Sequence, residues 1–207
     1  MSEVKTNKLT ASTGTAITLG DSGDTFTVPS GATLAVASGA TIANSGTQTG
    51  FGKVLQVVQT VKSDTFSTTS TTYVDVTGLS ATITPSSTSN KIVASVTIIP
   101  TNSSTAFFFK LFRGAVEIGS GDAASGKEPC FTSGVSGGSS NGGGYYGLQQ
   151  RSIEYLDSPS TTSATTYKIQ CKTYNNTGTT YLNRTVWDAP EYNARGISTV
   201  TLWEIEG

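Results

Sequence analysis

Carboxylates are the side chains here that could do chemistry, because the chain has no histidine. That absence removes Ser-His-Asp and Cys-His nucleophilic sites, imidazole acid–base catalysis and nearly all zinc sites. Two acids about 5–10 Å apart across a groove could still cleave a glycosidic bond. Beyond the first fifty residues the candidates are Asp64, Asp75, Glu117, Asp122, Glu128, Glu154, Asp157, Asp188, Glu191, Glu204 and Glu206. No two of them form a local pair, and most fall in turns or at strand ends. A glycan-degrading enzyme is therefore the least favoured reading, and no catalytic residue is assigned. Cys130 and Cys171 are too few for a disulfide framework. They are expected to be separate thiols, with a bridge left open should the protein meet oxidising surroundings. Gly134–Gly144 lacks a Gly-Lys-Ser/Thr sequence and a following helix, so it is a loop and no nucleotide site. Asp21 and Asp24 are too few acids for a calcium site. No metal and no cofactor are expected.

Aromatic residues are the better candidates for contact with a ligand. Tyr145, Tyr146, Tyr181, Trp187 and Tyr192 lie in or beside loops, with Asn141, Asn183, Asp188 and Asn193 nearby. Aromatic faces flanked by amides and carboxylates suit sugar rings, and they suit protein interfaces equally. The five are candidate contacts to a glycan or receptor. The alternative is that they pack the ends of the fold or a seam between subunits.

These side chains need a scaffold, and composition and patterning point to an all-β one. Only 13% of residues are charged and the net charge is −1, which gives no electrostatic footprint for nucleic acid or an anionic membrane. No apolar run approaches the length that crosses a bilayer, and Met1-Ser2-Glu3-Val4-Lys5 opens no signal peptide. Neither a nucleic-acid nor a membrane partner is expected, and the chain is expected to be made in a cytoplasm. From Phe51 to Gly207, alternating segments separated by turn clusters predict strands over Val54–Lys62, Tyr73–Val76 with Ser80–Thr84, Lys91–Ile99, Ala106–Arg113, Ala115–Ile118, Tyr145–Tyr155, Thr165–Tyr174, Thr180–Arg184 and Ile197–Ile205. No window carries a 3.6-residue period. The expectation is an antiparallel β-sandwich or jelly roll over residues 51–207. In Phe107-Phe108-Phe109 both faces are apolar, which predicts a central strand either buried within one chain or backed by a second subunit.

Residues 1–50 differ. Ser-Gly-x-Thr-apolar recurs every eight residues, aligning Thr25, Thr33 and Thr41, then Phe26, Leu34 and Ile42, then Val28 and Val36. Each octad reads as a short strand and a Ser-Gly turn, and one octad cannot bury its own thin apolar face. A flexible Ser/Gly/Thr linker is the alternative; the regular apolar columns favour order. Phe26, Val28, Leu34, Val36 and Ile42 are the candidate packing residues of a β-repeat arm. Residues 22–46 are expected to be ordered in an assembly and largely disordered in an isolated monomer.

The stretches Gly52-Lys53-Val54-Leu55-Gln56-Val57-Val58-Gln59, Ser152-Ile153-Glu154-Tyr155-Leu156-Asp157-Ser158-Pro159, Thr165-Thr166-Tyr167-Lys168-Ile169-Gln170 and Ser198-Thr199-Val200-Thr201-Leu202-Trp203-Glu204-Ile205 carry a family likeness. With them, Phe51–Gly207 resembles the C-terminal β-domains of fibre-like and capsid-decorating proteins of tailed bacteriophages, especially those of cyanobacteria and other aquatic hosts. The octads resemble the repeats that precede such domains. The resemblance implies a homotrimer of jelly-roll-like heads, similar to tumour-necrosis-factor-like heads, on the outer surface of a virion, with the N-terminal arm directed at the particle. It also implies the partners: a major capsid protein, or a tail adaptor or fibre protein, with a host surface glycan as a further one. The arm is short, which favours a decoration (cement) protein that reinforces the capsid. A receptor-binding tail-fibre tip is the alternative.

Overall fold

The structure, a computed structural model, describes residues 23–33, 35–38, 40, 53–103, 106–135, 147–188, 190 and 194–207. The chain divides into two compact units, Met1–Thr49 and Gly50–Gly207.

The second unit contains β1 (Val54–Lys62), β2 (Phe66–Thr68), β3 (Val74–Ile83), β4 (Lys91–Ile98), β5 (Pro100–Asn102), β6 (Ala106–Arg113), β7 (Val116–Ile118), β8 (Thr132–Val135), β9 (Arg151–Asp157), β10 (Thr165–Thr173), β11 (Thr180–Leu182) and β12 (Ser198–Ile205). Among the described residues there is no helix, and every strand pairing is antiparallel. One sheet runs β1-β12-β4-β9 and the other β3-β10-β6-β7, with β8 on the same side of β6 as β7. A small third sheet is ordered β2-β11-β5.

Alternation makes these sheets two-faced, since successive side chains point to opposite sides. Ile92, Ala94, Val96 and Ile98 of β4 and Val200 and Leu202 of β12 turn inward from the first sheet. Val76, Leu79, Phe107, Phe109, Leu111, Tyr167, Ile169 and Cys171 meet them from the second, and all belong to one core. Phe107 and Phe109 pack edge to face with ring centroids 5.7 Å apart. The expected all-β antiparallel sandwich is what forms.

Buried polar groups in this sandwich are tied across the layers. Asp157 of β9 accepts two hydrogen bonds from Arg113 Nη1 of β6, at 2.8 and 2.9 Å, and one from the Tyr167 hydroxyl of β10 at 2.6 Å. Asn183, at a left-handed φ of 62°, donates to the Lys62 and Asp64 carbonyls at 2.8 and 3.0 Å and accepts from Ser198 Oγ.

Several elements differ from expectation. The two segments expected at 73–76 and 80–84 form one strand, β3, and the irregularity falls in its register with β10. Gly78, at φ 79°, lets the chain bulge there so that Val76 and Leu79 both reach the core. The strand expected from Tyr145 begins at Arg151. Short strands β2, β5 and β8 were not expected, and Pro100 starts β5 at a sheet edge, where its missing N–H costs no ladder bond.

In the first unit, the octad period survives as turns. The Ala32 N–H donates to Pro29 O and the Ala40 N–H to Ala37 O, each at 3.0 Å and eight residues apart. Gly23 and Gly31 both take left-handed φ, 96° and 82°, which the Ser-Gly signal anticipates. The described octad residues form no strand; the expected strand-and-turn unit is one that needs neighbouring copies to order it. A strand needs a ladder partner, and the described residues of the arm supply none. Phe26, Val28 and Val36 are exposed; Leu34 and Ile42 lie outside the described residues.

Candidate functional site

The outward faces of the two main sheets are chemically unlike. On the first sheet, Val57 pairs with Trp203, Trp203 with Val93, and Val93 with Leu156. These four side chains form one continuous apolar row across all four strands. Val57 is 50%, Trp203 40% and Leu156 59% exposed, so nothing among the described residues covers the row. The next outward row is Gln59, Thr201, Ser95 and Glu154, in which Gln59 Nε2 donates to Thr201 Oγ1 at 2.8 Å. The row beyond is Val61, Thr199, Thr97 and Ser152. In these three rows Glu154, on the edge strand, is the one ionisable side chain.

The second sheet carries the charge. Lys168 Nζ lies 2.9 Å from the Asp75 carboxylate, Lys110 Nζ 2.8 Å from Glu117, and Lys172 Nζ 2.7 Å from Glu128. Tyr73 is set among them: its hydroxyl donates to Glu128 Oε1 at 3.0 Å, and the Lys110 and Lys172 ammonium groups stand 4.6 and 5.0 Å from its ring centroid. Burial, then the adjoining Glu128 carboxylate, pushes the Tyr73 phenol well above its usual range. The hydrogen bond from Lys172 leads the causes that hold the Glu128 carboxyl below its usual range, and the hydrogen bond from Lys168, then that from Gln170, does the same for Asp75.

Glu117 and Glu128 thus meet over Lys110, with Glu128 3.7 Å from its ammonium. The sequence gives no sign of this pairing, because the β7–β8 loop brings the two acids together. A general acid needs a raised pKa, and the lysines push Glu128 the opposite way. Among the described residues no group of three His, Cys, Asp or Glu side chains could hold a metal. Cys130 and Cys171 are free thiols, and burial pushes the Cys171 thiol up to about 12.

Of the aromatic contact candidates, Tyr181 and Trp187 fall in one region. The Arg184 guanidinium stacks 4.6 Å from the Tyr181 ring centroid, and its Nε and Nη2 donate to the Thr185 and Val186 carbonyls, each at 3.0 Å. Thr185 Oγ1 donates to the Trp187 carbonyl at 2.7 Å, closing the turn that presents Trp187, 55% exposed. Arg195 Nη2 donates to Asp188 at 2.8 Å, a bond that leads the lowering of the Asp188 carboxyl. Tyr145, Tyr146 and Tyr192 lie outside the described residues.

Phe108 is the outward member of the triple phenylalanine. Phe107 and Phe109 enter the core, while Phe108 points outward beside Tyr174, ring centroids 6.5 Å apart, with the Lys172 ammonium 5.4 Å from its centroid. The outer side of β6 is thus backed by its own chain's aromatic and charged groups. The outward apolar row of the first sheet is what a pass for loop aromatics misses; its trace in the sequence is Val57, Val93, Leu156 and Trp203 standing at alternate positions to the core residues. The chain matches no family model and no curated protein.

Proposed function

We propose that this chain is one subunit of a homotrimeric structural protein on the outer surface of a phage virion, where it decorates and cements the capsid. The observation that carries the reading is the row Val57–Trp203–Val93–Leu156, an apolar stripe across a sheet face nearly free of charge. Depletion of charge with retention of Trp and aliphatic side chains is the composition of an interface centre, while the ion-paired face of the opposite sheet suits solvent. Strand orders β1-β12-β4-β9 and β3-β10-β6-β7 support the reading of the sandwich as a jelly roll of the tumour-necrosis-factor-like kind. The number three, the virion location and the capsid partner rest on the sequence resemblance to phage decoration and fibre heads. Exposed Phe26, Val28 and Val36 in the arm support its packing against the arms of other copies or the particle, and three weak arms on one trimer attach with avidity.

Light scattering on the purified chain tests the assembly. The wild type is expected at three times the chain mass, and Trp203→Arg at the mass of one chain with its circular dichroism unchanged. A monomeric wild type sinks the reading. Copy number per particle then separates the two virion positions, hundreds for a capsid decoration against a few trimers for a tail appendage.

A second reading, a receptor-binding fibre tip that recognises host surface polysaccharide, is favoured by the Tyr181–Arg184–Trp187 surface. An exposed indole beside a stacked guanidinium and a carboxylate suits a sugar ring. Under it, Trp187→Ala lowers adsorption to host cells, and unchanged adsorption removes its support.

A further inference from the structure

The outer side of the second sheet contains a groove of about 580 Å³ that neither Tyr181 nor Trp187 lines. Its floor is one row across three strands: Ser133 of β8 pairs with Phe108 of β6, and Phe108 with Lys172 of β10. Tyr174, which follows β10, forms one wall and is 68% exposed. Lys127 and Glu128 form the other, carried by the β7–β8 loop through a turn in which the Lys127 N–H donates to Ala124 O at 3.0 Å.

The charges in this groove are unequal in availability. Both Glu128 oxygens are engaged, Oε1 by Tyr73 and Oε2 by Lys172. Lys110 is held between Glu117 and Glu128. Lys127, on the exposed rim, makes no ion pair among the described residues. Two lysines (Lys127, Lys172) and one glutamate (Glu128) line the groove, so it keeps one positive charge, placed where a ligand can reach it. The exposed Tyr174 ring, tilted 48° from the Phe108 ring of the floor, offers its own flat apolar face to a pyranose. Ser133 Oγ and the Glu128 carboxylate can accept from its hydroxyls. Lys127 is left for an anionic substituent.

From this arrangement we propose that the groove between Tyr174 and Lys127 binds a pyranose oligosaccharide bearing carboxylate groups, one ring stacking on Tyr174 and one carboxylate meeting the Lys127 ammonium. The site stands on the charged sheet, opposite the apolar row, and shares no lining residue with that row or with the Tyr181–Trp187 surface.

Calorimetric titration of the full chain with tetragalacturonate and with neutral maltotetraose tests the proposal. Tetragalacturonate is expected to bind once per chain, about tenfold more tightly than maltotetraose, and more weakly as salt screens the exposed lysine. Tyr174→Ala and Lys127→Ala are each expected to weaken it by about tenfold while leaving the thermal midpoint and the oligomeric state unchanged. Trp187→Ala is expected to bind like the wild type. The proposal is overturned if tetragalacturonate gives no binding at millimolar concentration, if maltotetraose binds equally well, or if Tyr174→Ala and Lys127→Ala retain wild-type affinity.

Discussion

Glu204 is buried on β12, and its carboxylate is met by neutral donors: Gln56 Nε2, Asn90 Nδ2, and both the N–H and the hydroxyl of Ser86. Burial alone would raise its pKa, and the hydrogen bonds outweigh it and hold the group at about 2, below an ordinary 4.5. A folded pKa below the unfolded one stabilises the fold fully above the unfolded value and is lost as pH falls through the folded value. The urea midpoint is therefore expected to fall as pH drops from 4.5 toward 2, and Glu204→Gln is expected to flatten part of that fall. At neutral pH the same substitution turns an amide donor toward the donors of Gln56 and Asn90, costing about 2–3 kcal/mol of unfolding free energy. A midpoint unmoved by the substitution would show that these bonds do not hold the β3–β4 turn. The two thiols give a second residue-scale test. Cys171 is wholly buried while Cys130 is half-buried, so iodoacetamide should label Cys130 first in the native protein and reach Cys171 only on unfolding, as read by peptide mass spectrometry.

Strand β6 shows how one element divides labour between its faces. Phe109 is fully buried among core residues, and its truncation to Ala is expected to cost about 3–5 kcal/mol in equilibrium unfolding. Phe108→Ala should cost less, because that ring borders the open groove. Gly134 of β8 lies against this strand: a Cβ there would stand 2.5 Å from Phe107 Cζ. Phe107 is packed edge to face on Phe109 and has little room to yield, so Gly134→Ala is expected to destabilise by about 1–3 kcal/mol through overpacking. The bounds of β1 and β6 were legible because each is a run of eight or nine strand-forming residues set off in the sequence by turn residues such as Ser63 and Gly114. Strands β2, β5 and β8, at three or four residues, are too short to display it, and they form because a neighbouring strand offers free ladder positions.

At the scale of the molecule, the core of the second unit is built from that unit's own residues, Val76 to Leu202. Residues 50–207, expressed alone, are accordingly expected to unfold with the same denaturant midpoint as the second unit of the full chain; a loss of more than about 1 kcal/mol would show that the arm supports the sandwich. The opposite characters of the two outer faces, an apolar row on one and ion pairs on the other, belong to this scale too. They decide which side of the sandwich suits a second copy and which suits water or a ligand.

Whatever depends on local period and on composition could be read from the order of residues. Alternation with period two made the unit all-β, missing histidine narrowed the possible chemistry, and Ser-Gly every eight residues set the turns at Pro29–Ala32 and Ala37–Ala40. Which strands are neighbours depends instead on long-range packing. Val57, Val93, Leu156 and Trp203 span some 150 positions of chain and become one stripe through ladder register alone. Glu117 meets Glu128 over Lys110, and Phe108 meets Tyr174 and Lys172, for the same reason. Periodicity tells each side chain which face to take, and the order of strands in the sheet, a matter of long-range packing, tells it which neighbours share that face.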